Sequence, residues 1–150
     1  MPHESPDISV LPGRAAAWLA KQVELGLATV ELSLPQYRVL SLLDEGSAFS
    51  SALAERLAVR PPSVTGVIDG LVGRNLVERR HADDDRRRVT HVLTPAGRQV
   101  LAQADEAVNE RLRTIADSLP EPGAGDRALE SLLVWPEAMA AHRLTRVASR

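Results

Sequence analysis

The chain has 150 residues, a formal net charge of −2, and 44% hydrophobic residues of which few are aromatic. That is one domain's worth of chain, with an aliphatic, alanine-rich core best served by closely packed helices. The cysteine count is zero, which excludes a disulfide framework and a thiol-based redox switch, and no apolar run approaches the roughly 18 residues of a membrane span.

In chain order, residues 1 to 10, with Pro2 and Pro6, read as a flexible arm. The opening is acidic and broken by proline, unlike a secretory or mitochondrial signal, so a cytoplasmic location is expected. A long helix is expected from Leu11 to about Glu31, where Leu11, Ala15, Leu19, Val23 and Leu27 recur every four residues and Trp18, Leu25 and Val30 widen the stripe. So broad an apolar face predicts burial against a second subunit. Ser33 and Gln36 form a capping box for a helix through Tyr37, Val39, Leu40 and Leu43 that stops at Gly46. Residues 47 to 51 read as a loop, with Ser50 or Ser51 capping the next helix, whose apolar face is Leu53, Ala54 and Leu57.

After a tight turn at Ala58, Val59 and Arg60, Pro61 opens a second short helix. Val64, Val67, Ile68, Leu71 and Val72 give it one apolar stripe, and Asn75 suits its left-handed end. Extended runs follow at Leu76 to Arg80 and Arg88 to Thr94, joined by the polar tip His81 to Arg87. Two helices across a tight turn, followed by an arginine-rich hairpin, read as a winged helix-turn-helix, a DNA-reading device. Thr94 and Pro95 then start a long helix with Leu101, Ala104, Val108, Leu112, Ile115 and Leu119 at nearly coiled-coil spacing. Residues 120 to 125 break it. A terminal helix carries Leu129, Leu132, Leu133, Ala140, Leu144 and Val147, with a kink or split expected near Trp135 because of Pro136.

The segments LAERLAVRPPSVTGVIDGLVGRNLVERR and DDDRRRVTHVLTPAG resemble the MarR (multiple antibiotic resistance regulator) family over roughly residues 33 to 100. The most diagnostic part is the wing signature Asp85-x-Arg87, then Leu93-Thr94 and Gly97. The resemblance implies a mainly α (α+β) fold: a winged helix-turn-helix domain with N- and C-terminal dimerisation helices. It divides a single domain of residues 1–150 into dimerisation helices at 1–32 and 120–150, a DNA-binding unit at 33–98 and a connecting helix at 95–119. It implies a homodimeric repressor of a pseudo-palindromic operator on double-stranded DNA, released in some members by a small organic effector. Some relatives sense peroxide through a cysteine, a route that this sequence lacks.

The candidate DNA contacts are Ser50, Ser51, Arg60, Pro62, Ser63, Thr65, Gly66, Asp85, Arg86, Arg87 and Arg88. Arg60 suits a guanine, Ser63 and Thr65 either donate or accept, and Pro62 suits a thymine methyl. By the resemblance, Arg87 enters the minor groove and Asp85 orients it, while Arg86 and Arg88 meet phosphates; a guanidinium fits the negative potential of a narrow groove. The plain alternatives are a capped surface helix and a solvated charge run whose three acids cancel three bases. Gly66 and Gly70 depart from the family, where longer polar side chains are frequent, which shifts specificity toward DNA shape and the wing.

No metal or cofactor is expected, because a hairpin tip splays Asp83, Asp84 and Asp85 outward and the four histidines lack ligand spacing. No nucleophile elbow, phosphate loop or dinucleotide fingerprint supports catalysis, so the chain is not expected to be an enzyme. By position in the family, an effector pocket would involve Trp18, the segment around Tyr37 and the start of the Thr94 helix, although a Trp or Tyr in such a place is more often core than ligand contact. A second function class stays open: a winged-helix protein-interaction module with little intrinsic DNA affinity, which weak salt dependence of duplex binding would favour.

Overall fold

A computed structural model describes residues 11–81 and 88–148, with side chains to Thr145. The elements are α1 (Pro12–Ala28), α2 (Leu34–Asp44), β1 (Ala48–Phe49), α3 (Ser50–Leu57), α4 (Pro61–Gly73), β2 (Val77–His81), β3 (Val89–Leu93), α5 (Pro95–Ala116), α6 (Ala124–Leu133) and α7 (Trp135–Ala148). They form two compact units, Met1–Val108 and Asn109–Arg150. Helix α5 begins in the first and continues into the second.

The first unit is built around α2, α3 and α4. Leu40, Leu43, Leu53, Val64, Ile68 and Leu71 are buried, the apolar stripes seen in the sequence, and Leu27 of α1 joins them. The capping box is formed: Ser33 Oγ accepts from the Gln36 N–H at 3.3 Å, and Gln36 Oε1 accepts from the Ser33 N–H at 3.0 Å. Helix α1 ends earlier than its periodicity suggests. The Thr29 hydroxyl donates to the Gly26 carbonyl, Glu31 turns left-handed at φ 55°, and the Leu32 N–H returns to the Leu27 carbonyl at 3.1 Å. This closes the helix without glycine.

The expected hairpin is present, β2 against β3, with Val77 opposite Leu93 and His81 opposite Val89. The sheet has a third strand that the sequence does not advertise. Residues Ala48 and Phe49, expected in a loop, pair antiparallel with β3, opposite His91 and Thr90, so the strand order is β1-β3-β2. Side-chain alternation gives this sheet two unlike faces. His91 and Leu93 are buried on the inner one.

Thr94 ties the sheet to α5. Its hydroxyl donates to the Asn75 carbonyl at 2.7 Å and accepts from the Gly97 N–H at 2.9 Å, while its own N–H reaches the Leu76 carbonyl at 3.1 Å. Gly97 is needed for this closeness, since a Cβ there would lie 2.0 Å from the Leu76 carbonyl oxygen.

In the second unit, Gly125 at the start of α6 packs against the last turn of α5, where a Cβ would meet the Ala116 carbonyl oxygen at 2.8 Å. The expected break near Trp135 is a true division: α6 ends at Leu133, Val134 caps it, and α7 starts at Trp135 with Pro136 in its first turn. Proline there sacrifices no helical hydrogen bond. Leu133 and Leu144 are 76% and 72% exposed, and Val134, Trp135 and Met139 are exposed too.

Candidate nucleic-acid interface

Helices α3 and α4 meet across a turn in which Ala58 takes φ 55°, its N–H and that of Val59 closing onto the last turn of α3. Arg38 of α2 donates to the Leu57 carbonyl at 3.0 Å, satisfying one of the acceptors that the helix end leaves open. Arg60 follows in extended backbone, as the residue before a proline must, and Pro61 and Pro62 occupy the first two helical positions of α4. Neither proline has an N–H, so this helix start offers side chains rather than main-chain donors.

The inner face of α4 is core, which leaves Arg60, Pro62, Ser63, Thr65 and Gly66 exposed on one outward surface. Five sequence candidates are thereby brought together. Thr65 is partly committed, its hydroxyl donating back to the Pro61 carbonyl at 3.2 Å. Asp69 lies further along the same helix and would repel phosphate, but it is paired with Arg79 of β2. That pair also ties α4 to the wing.

Neither Ser50 nor Ser51 caps α3, which corrects the sequence expectation. Phe49 is the N-cap, no side chain bonds the first-turn N–H groups, and Ser50 and Ser51 are the first helical residues. Pairing of β1 with β3 explains the shift, because strand geometry extends up to Phe49 and the helix starts one residue later. Arg88 stands beside this junction, its guanidinium carbon 4.3 Å from the Phe49 ring centroid. Asp85, Arg86 and Arg87 lie outside the described residues.

Other arginines that crowd this part of the sequence are engaged internally. Arg74 donates to the Glu31 carbonyl at 2.7 Å and Arg80 donates to Glu78 at 2.6 Å, besides the Arg79–Asp69 pair. The local positive charge is therefore smaller than a count of arginines suggests. Sequence reasoning missed Phe49 and Asp69. The signal for Phe49 was its being the only phenylalanine in the chain, placed directly before a helix.

His91 sits at the centre of the sheet, 3% exposed, with Nδ1 3.2 Å from the Ala48 carbonyl oxygen. Burial pushes its pKa below 6.5; the Ala48 hydrogen bond opposes this, and Arg79 and Asp69 pull in opposite directions. The contact with Ala48 adds a side-chain link between β3 and β1 to their backbone pairing.

The two effector candidates are differently placed. Tyr37 is half-buried and donates to Asp105 of α5 at 2.5 Å; burial and that carboxylate raise its pKa well above 10.0. Trp18 is 59% exposed on α1. Neither lines the cavity of about 150 Å³ bordered by Pro35, Arg38, Val39, Leu57, Val59 and Val64, or the larger one of about 440 Å³ in the second unit bordered by Asn109, Leu112, Leu129 and Leu133. No cluster of metal-ligating side chains occurs among the described residues, and none of the described helices is long and apolar enough to cross a membrane.

Comparison with known proteins gives the same motif. The MarR family model matches residues 32–89, from the start of α2 to the start of β3. The HTH-type transcriptional regulator FarR of Neisseria gonorrhoeae is 31% identical over 118 residues, which is 78% of this chain and 80% of that protein. Among solved structures, RV1404 of Mycobacterium tuberculosis superposes with a TM-score of 0.66 at 27% identity, over 83% of this chain and 87% of that one. The transcriptional repressor CouR, solved bound to a 23-mer DNA duplex, gives 0.63 at 27% identity, over 92% and 89%. With a helix-turn-helix whose second helix turns a polar face outward, a wing beside it, and this degree of shared sequence, the chain belongs to the MarR family and is a DNA-binding transcriptional regulator, not an enzyme.

Proposed function

We propose that the protein is a homodimeric repressor of a pseudo-palindromic operator, in which α4 reads the major groove and the wing the adjacent minor groove. The observation that carries this is the division of α4 into a buried stripe and an exposed surface running from Arg60 to Gly66. Arg60 takes a base edge there, with Pro62, Ser63, Thr65 and Gly66 as the close-approach surface. Ser50, Ser51 and Arg88 meet the phosphate backbone, which positions the protein without reading sequence. Arg87 enters the minor groove, oriented by Asp85, and Arg86 meets a phosphate.

Residues 1–32 and 120–150 serve as dimerisation helices on either side of the 33–98 reading unit, with 95–119 as the connector. The support is the apolar surface on each: Leu11, Trp18 and Leu25 in the first unit, and Leu133, Trp135 and Leu144 in the second. Surfaces of this kind on a water-soluble regulator are expected to be covered by a partner. Release from DNA is by a small organic effector, with Trp18 and Tyr37 as candidate contacts; a cysteine switch is not available to this sequence.

The test compares Arg87→Ala and Arg86→Ala on a selected operator and on random duplex. Loss of Arg87 should cost about 1–3 kcal/mol per half-site on the operator. Loss of Arg86 should weaken both duplexes alike and flatten the salt slope by about one per lost contact. Parent-like operator affinity in a folded Arg87→Ala protein would refute the wing's role. The limited base-reading reach of α4 at Gly66 and Gly70, with Arg79 and Arg80 internally paired, favours one second reading, a winged-helix module for protein contacts. Duplex affinity that ignores salt would select it.

A further inference from the structure

Alternation along the sheet places Phe49, Thr90 and Arg80 on the face opposite His91, since Phe49 and Arg80 are the cross-strand partners of Thr90. Arg88, two residues before Thr90, is stacked on the Phe49 ring. The neighbouring arginines are held by oxygen: Arg74 by a carbonyl, Arg79 and Arg80 by carboxylates. Those contacts use up N–H donors, and the carboxylates also cancel charge. An aromatic face does neither. It attracts the cation through the ring quadrupole and leaves the in-plane N–H groups of the guanidinium available for a phosphate.

From this difference we infer that Phe49 is a positioning residue for DNA binding: its ring holds the Arg88 guanidinium in place for a backbone phosphate without itself taking up an N–H donor or cancelling charge. A long arginine side chain otherwise loses rotamer freedom when it binds, and a stack formed in advance removes part of that cost. The two-residue strand β1 then has a function beyond lengthening the sheet. Its pairing with β3 fixes the ring in register with the root of the wing. The inference rests on Arg88 being a DNA contact, as proposed above.

The test is a double-substitution cycle on the full chain, binding a labelled random-sequence duplex at several salt concentrations, with melting temperatures in parallel. Arg88→Ala should weaken binding and lower the salt slope by about one per protomer. Phe49→Leu should weaken binding about two- to fivefold per half-site, Phe49→Tyr should bind like the parent, and Phe49→Leu with Arg88→Ala should be no weaker than Arg88→Ala alone. If Phe49→Leu lowers the melting temperature, Phe49→Met fills the space without a ring and takes its place. Parent-like binding by Phe49→Leu where Arg88→Ala is weak would overturn the positioning role and leave the Arg88 contact standing. Multiplying effects in the double variant would also overturn it, as would weakness of Phe49→Tyr equal to that of Phe49→Leu. Parent-like binding by Arg88→Ala would overturn both the contact and the inference.

Discussion

Gly97→Ala is expected to be the most damaging one-carbon change in the reading unit. The added Cβ would stand 2.0 Å from the Leu76 carbonyl oxygen and 2.9 Å from its carbon, a full ångström inside the 3.0 Å that real Cβ atoms essentially never undercut. Both groups are backbone, so no side chain can swing away. Relief requires α5 to move off the base of β2. That movement disturbs the Thr94 N–H bond to Leu76 and the Gly97 N–H bond to the Thr94 hydroxyl. Overpacking costs typically 1–3 kcal/mol and each disturbed hydrogen bond about 1 more, whereas alanine's better helix propensity returns about 1. The clash wins, with a net loss of about 3 kcal/mol and a fall in melting temperature of roughly 6–12 °C at fixed protein concentration. Gly66→Ala is the internal control. Its Cβ meets nothing within 4 Å, so it should be neutral or gain up to about 1 kcal/mol. Thermal and urea unfolding of both variants decides the matter. A Gly97→Ala protein that melts with its parent would refute the close approach of α5 to β2.

Other consequences can be read independently. Tyr37 is the only tyrosine, so phenolate absorbance on alkaline titration reports it alone; ionisation should begin well above pH 10, and a midpoint at 10 would contradict the Asp105 bond. Tyr37→Phe should cost about 1 kcal/mol by urea unfolding. For His91 the folded-state pKa is depressed, so the unfolded chain binds the extra proton and stability falls as pH drops below about 6.5, by at most about 1.4 kcal/mol per pH unit. This part of the pH dependence should vanish in His91→Asn, and its persistence would assign it elsewhere. Removal of residues 1–31 takes away the buried Leu27 together with the exposed apolar side chains of α1, and should yield aggregated or unfolded protein by size-exclusion chromatography; a well-folded monomer would refute the proposed assembly.

The sequence by itself determined what depends on neighbours along the chain. The stripe Val64, Ile68, Leu71, the Ser33–Gln36 capping box, the left-handed Asn75 and the division before Pro136 all stand where local periodicity and backbone preference put them. Only the tertiary structure decided what depends on partners distant in sequence. Strand β1 exists because β3, more than 40 residues later in roughly that register, supplies its hydrogen bonds; the pairing of Ala48 with His91 leaves no trace in the composition of either segment. The same holds for electrostatics. Arg79 and Arg80 look like free positive charge beside Arg88 in the sequence, yet Asp69 and Glu78 hold the first two and Phe49 the third. Whether a guanidinium meets a carboxylate or a ring depends on which strand lies beside it and which face its residue takes. A one-residue change of register would reverse that face, and the register is set by the packing of the sheet rather than by the arginines themselves.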